Sequence, residues 1–155
     1  MKKIIAAMSF VLASQSVFAD GFVCENSDMG LKVKAFNNTQ PVAGTRNAAV
    51  MIVSDTTVAY ENKTIAKFEA ETKLLKNKGA SYTAKVDLRF TNSSRKGELI
   101  GGTKLGQLAS MDLDVLFSYA SPIADGQVVP GYLTLNKRNG DMSVIEMDCA
   151  RYLKN

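Results

Sequence analysis

Two cysteines constrain this chain more than any other feature. Cys24 lies near one end and Cys149 near the other, with none between. If they pair, the first and last segments must be neighbours in space, because bridged Cα atoms lie within about 7 Å. The closed ring would hold 126 residues, Cys24 through Cys149. The chain-entropy estimate for such a closure is about 5 kcal/mol, an upper figure.

An oxidising compartment favours pairing, and the N-terminus points to one. In "MKKIIAAMSFVLASQSVFAD", Lys2 and Lys3 precede an apolar run from Ile4 to Leu12. That run has the length of a signal-peptide core and is too short to span a bilayer. Val17 and Ala19 form a V-x-A cleavage pattern. The expectation is a signal peptide over residues 1–19, cleaved after Ala19, and a single all-β domain over 20–155. No cysteine follows the cut, so a lipoprotein anchor is not supported. The short lysine-rich start has a bacterial character, which points to a periplasmic or secreted protein. No later segment has the length and apolarity of a transmembrane helix.

Loss of Lys2 and Lys3 leaves 17 of the 19 Lys+Arg against 15 Asp+Glu, a net charge of +2. So weak an excess gives no reason to expect a nucleic-acid partner.

Period-two alternation dominates the rest of the chain. In "ASYTAKVDLRFTN", Tyr82, Ala84, Val86, Leu88 and Phe90 alternate with Thr83, Lys85, Asp87 and Arg89. "MDLDVLFSY" sets Met111, Leu113, Val115, Phe117 and Tyr119 against Asp112, Asp114 and Ser118. "LKVKAFN" repeats the pattern. These are half-buried antiparallel strands. "AAVMIVSD" is more continuously apolar, as a strand covered on both faces would be. Ile145, Met147 and Cys149 share one strand face, and Phe22 and Cys24 share another, so both sulfurs are expected among core side chains. Asn139-Gly140 predicts a type I′ hairpin turn. "NKTIAKFEAETKLLKNKG" fits strand or helix spacing; a strand over Thr64 to Ala70 suits its β surroundings better.

The expected fold is a small antiparallel β-barrel of about eight strands, with its termini joined by the disulfide. A two-layer β-sandwich with adjacent termini is the alternative. An outer-membrane barrel fits poorly: there is no Trp, no aromatic girdle and no terminal aromatic residue.

The chain has no histidine. That removes Ser-His-Asp and Cys-His catalysis, imidazole bases and imidazole metal sites. With both cysteines bridged, zinc has no good ligand set, and neither a metal nor a cofactor is expected. "GELIGGTKLG" has phosphate-loop glycine spacing but Thr-Lys in the wrong order, so its glycines read as turns. Asp112 and Asp114 share a strand face, yet two carboxylates make a poor cation site. Asp55, Glu61, Glu98 and Asp125 sit where hydrolase carboxylates could lie, without spacing that singles out a pair. Ser94 with Lys96, and Ser81 with Lys85, do not match an S-x-x-K pattern.

Three functions remain. The first is a non-catalytic module binding an envelope or secreted protein through its loops. The second is a barrel carrier of a small apolar ligand, and the third a carboxylate-based hydrolase. The candidate contact residues are Arg46, which could meet a carboxylate or phosphate, and Pro122, Asp125 and Pro130 in "ASPIADGQVVPG". Large residues at inward positions, Tyr82, Phe90, Phe117 and Met147, favour a packed interior and hence the binding module.

Overall fold

The computed structural model describes residues 20–37, 46–57, 63–74, 80–89, 96–116 and 126–153. The expected signal segment, Pro122 and Asp125 lie outside them, as do Phe90 and Phe117.

Strand β1 (Asp20–Asn26) is followed by β2 (Leu31–Asn37), β3 (Arg46–Asp55), β4 (Lys63–Leu74) and β5 (Ala80–Asp87). Two short strands, β6 (Leu99–Ile100) and β7 (Thr103–Lys104), lead through a 3-10 turn at Leu105–Gln107 into β8 (Leu108–Leu116), β9 (Val128–Lys137) and β10 (Met142–Leu153). Eight strands close a barrel in the order β1-β10-β9-β8-β5-β4-β3-β2, every pair antiparallel. This is the expected barrel, not the sandwich. Each strand neighbours its predecessor once the β6–β7 hairpin is left aside.

Alternation explains the closure. Leu31, Val33 and Ala35 of β2 face inward, as do Ala49, Met51 and Val53 of β3 and Met111, Leu113 and Val115 of β8. Closure leaves each strand with one covered face, which corrects the reading of β3. Ala48, Val50 and Ile52 lie on its outer side, so its apolar run is not doubly buried. The ambiguous segment is strand throughout Lys63–Leu74, longer than expected. Its mixed spacing has a local cause: Val53 pairs with Ala66 and Ser54 with Thr64, so Ile65 is the extra residue of a bulge. Both Ile65 and Ala66 are buried there.

The Asn139-Gly140 expectation also needs correction. Gly140 has φ +93°, but no non-glycine residue among those described has positive φ. Lys137 accepts from the Gly140 N–H (3.1 Å) and donates its own N–H to Asp141 O (2.8 Å). This is a type I turn closed by a glycine bulge. Asn139 stays in ordinary backbone space because its side-chain oxygen accepts from the Asp141 N–H. The two-residue turn with positive φ at both positions is Gly101-Gly102 (53° and 77°), between β6 and β7.

The interior is filled. Tyr82 of β5 packs on Phe22 of β1 with ring centroids 4.8 Å apart. Its hydroxyl reaches Ala35 O on β2 at 3.5 Å, spanning the barrel between strands that are not neighbours. Small inward residues (Ala35, Ala49, Ala70 and Ala84) leave room for these rings. At the end away from Asp20 and Leu153, residues 96–107 fold under the barrel. Ile100, Leu105 and Leu108 are buried there. Arg138 N–H donates to Gln107 O (2.9 Å), tying this plug to the β9–β10 turn.

Candidate functional site

Cys24 and Cys149 are disulfide-bonded and fully buried. They face each other directly across the β1–β10 ladder, the seam where the last strand meets the first. The bridge therefore staples the closure itself. Gly131 on β9 makes room for it: a Cβ there would lie 2.5 Å from Cys149 Sγ. The thiols are spent on structure and supply neither a nucleophile nor a metal ligand.

The remaining sequence candidates do not form one site. Arg46 opens β3 opposite Lys73. Pro130 lies exposed on the outer face of β9 opposite Asp148. β3 and β9 are four places apart in the ring of eight strands, on opposite sides of the barrel. Asp112 is engaged by Asn136 Nδ2 (2.7 Å) and lies 3.8 Å from Lys85 Nζ. Asp114, two positions along, has its pKa raised by burial and further by the Asp112 charge. A carboxyl that disfavours its charged form makes a weak cation ligand. Among the described residues, no three or more Asp, Glu, Cys or His side chains are grouped to hold a metal ion. Asp55 accepts from Thr57 N–H (2.8 Å) and Thr57 Oγ1 (2.6 Å), a turn-forming role.

One residue that sequence reasoning missed is Arg151. It continues the inward parity of Ile145, Met147 and Cys149, and is half-buried opposite Phe22 near the barrel mouth. Extending the period-two count by one step would have found it. Nearby on the inner face, the buried Thr72 hydroxyl donates to Asn37 Oδ1. Among the described inward residues near the termini, Asn37, Thr72 and Arg151 are thus polar, whereas the opposite end is plugged by apolar side chains. The β2–β3, β4–β5 and β8–β9 connections all leave from this polar end.

Two depressions lie among the described residues, the first reaching the inward-facing Ala49, Ala70 and Thr72. One, of about 1080 Å³, opens where the β4–β5 ladder stops after four residue pairs, Glu71 to Leu74 with Lys85 to Tyr82. Glu69, Glu71, Lys85 and Asp87 line it. The other, of about 320 Å³, is acidic: Glu25, Asp28, Glu146 and Asp148 surround Tyr132. Comparison with protein families, with curated proteins and with solved structures found no match to this chain.

Proposed function

We propose that the protein is an exported, non-catalytic binding module, periplasmic or secreted, that engages an envelope or secreted protein through the loops at the polar end of its barrel. The observation that carries this reading is the filled interior. Tyr82 and Phe22 occupy the space in which a carrier barrel of this size would hold its ligand. The buried disulfide suits an oxidising compartment. The described residues contain no helix long and apolar enough to cross a membrane. The loop end supports the reading by its position. It joins three connections and the polar mouth on a rigid barrel, a common arrangement for binding surfaces.

The test combines native and denaturing mass spectrometry of the protein from its exported fraction with crosslinking at the loop end. The expected result is a denatured mass showing the cut after Ala19 and one disulfide, no bound small molecule, and a discrete crosslinked protein. A stoichiometric apolar molecule released on denaturation would overturn the reading in favour of a carrier.

A further inference from the structure

Asn139-Gly140 is the chain's only Asn-Gly pair. Such a pair can react with itself, because glycine has no side chain to keep its amide nitrogen from the neighbouring carboxamide carbon. The Gly140 nitrogen bonds to Asn139 Cγ, the Cγ–Nδ2 bond breaks, and ammonia leaves with the Gly140 amide proton. Water then opens the cyclic imide, at one carbonyl to aspartate and at the other to isoaspartate. In sum, asparagine and water give the acid and ammonia. Asn139, Gly140 and Asp141 are all exposed, so water is at hand and burial does not prevent the reaction.

The turn opposes it by geometry, since each group that ring closure needs is held elsewhere. The Gly140 N–H donates to Lys137 O at 3.1 Å, which aims the nitrogen back across the turn. Asp141 holds the Asn139 carboxamide at both ends. Oδ1 accepts from the Asp141 N–H at 3.1 Å, and Nδ2 donates to Asp141 Oδ2 at 2.7 Å. Two bonds to one residue fix the plane of the amide and turn it toward Asp141. Asp141 is anchored in its turn, because its carbonyl accepts from the Lys137 N–H at 2.8 Å. The tip is also tied to the base of the barrel. Arg138 N–H donates to Gln107 O at 2.9 Å, and Arg138 Nη2 donates to Leu88 O at 3.1 Å.

We propose that Asn139 is a guarded modification site, converted to isoaspartate only when the 137–141 turn opens, with Asp141 as the residue that positions its amide out of reach. The rate in the folded protein is then the rate in the unfolded chain multiplied by the fraction of time the turn is open. The product cannot return to the same turn. Isoaspartate carries the main chain through its side-chain carbons and lengthens it by one carbon. The closure from Gly140 to Lys137 and the ladder bond from Lys137 to Asp141 then no longer fit together. Arg138 lies between them, so its hold on Gln107 and Leu88 goes with the turn. Deamidation at one exposed tip thus unties the β9–β10 hairpin from the plug beneath the barrel.

The test incubates the folded protein, and the same protein unfolded in urea with its disulfide intact, at mildly alkaline pH. Peptide mapping by mass spectrometry locates the isoaspartate. The expected result is conversion at Asn139 at least about tenfold slower in the folded protein. Asp141→Ala should raise the folded rate severalfold and leave the rate in urea unchanged, with an unchanged circular dichroism spectrum. Asp141→Asn, which keeps an acceptor for Asn139 Nδ2, should stay close to the parent. In the isolated isoaspartate form the Arg138 and Gly140 amides should exchange faster with solvent, while the Leu133 amide in the barrel wall keeps its protection. Equal rates in the folded and unfolded protein overturn the proposal. So does an Asp141→Ala protein whose folded rate matches the parent's, or an isoaspartate form in which Arg138 and Gly140 exchange as before.

Discussion

The packing of Gly131 against the disulfide gives a test of the barrel seam that one substitution and one background can decide. Gly131→Ala would place a Cβ 2.5 Å from Cys149 Sγ and 3.0 Å from the backbone oxygen of Asp114. Neither neighbour yields easily. The sulfur is held from both sides by its bridge, and the carbonyl belongs to the β8–β9 ladder. Overpacking of this kind costs about 1–3 kcal/mol. Restricting the unfolded chain by replacing glycine returns about 0.4–1 kcal/mol. The net expectation is a loss of about 1–2 kcal/mol, seen as a lowered denaturation midpoint with an unchanged slope.

The Cys24→Ala, Cys149→Ala background removes the sulfur. The nearest atom on residue 149 is then its Cβ, at an ordinary 3.7 Å, leaving only the Asp114 oxygen as a tight neighbour. In that background Gly131→Ala should cost less than about 0.5 kcal/mol, so the two perturbations couple by about 1 kcal/mol. Urea denaturation of the four proteins measures the cycle. Equal costs in both backgrounds, or a neutral Gly131→Ala in the oxidised protein, would show that the bridge does not occupy the space that Gly131 leaves.

Three other outcomes rest on the same structure. Tyr82→Ala should cost about 3–5 kcal/mol by opening a cavity in mid-barrel, and the variant should take up a small apolar probe such as benzene that the parent excludes, read by ligand-observed NMR. Burial and Asp112 raise the Asp114 pKa, so the folded protein holds that proton more tightly than the unfolded chain, and this group's contribution to stability falls as pH rises. Asp114→Asn should therefore raise the unfolding midpoint at pH 7 and have little effect near pH 3, where the carboxyl is protonated in both states. Arg89 bonds the Asp87 carboxylate and lowers its pKa from 3.8 to about 2; any stability from this pair is present above the ordinary carboxylate range and is lost as pH falls toward 2. Arg89→Ala should move the Asp87 titration, followed by carboxyl-carbon NMR, up toward the ordinary range but not fully to it, because the residue-89 backbone N–H still donates to Asp87, with little change in stability, because the pair is exposed and local.

What was legible in the sequence was whatever repeats with period two. The alternation in Tyr82 to Leu88 and Met111 to Val115 fixed which side chains enter the core, and the cysteine parity fixed that both sulfurs do. With the ends tied together and strands that succeed one another as hairpins, a closed meander was the natural solution. The errors share a cause. A local apolar run cannot report whether a second layer covers its other face, so β3 read as doubly buried although barrel closure leaves its outer side to solvent. A local Asn-Gly pair cannot report loop length, and the type I turn with its glycine bulge was chosen by the Lys137–Asp141 register. At Ile65 a bulge shifted the count of β4 by one, which blurred strand spacing into helical spacing.

The candidate contact residues were less legible for a related reason. Arg46 and Pro130 were singled out by neighbouring turn chemistry, which carries no information about position around a ring, and closure sets them on opposite walls. Arg151 was within reach of the pattern that placed Cys149, one step further along the same strand face. A barrel sorts residues by two coordinates, inward or outward and mouth or base. Alternation supplies the first directly. The second comes from strand direction once the order is known: β2, β4, β8 and β10 run toward the mouth, so inward residues late in each of them approach it. By that rule Asn37, Thr72, Val115 and Arg151 fall toward one opening, while Leu31 and Leu108 fall at the base. The polar groups Asn37, Thr72 and Arg151 and the apolar plug therefore lie in the same strands, at opposite ends of the same alternation.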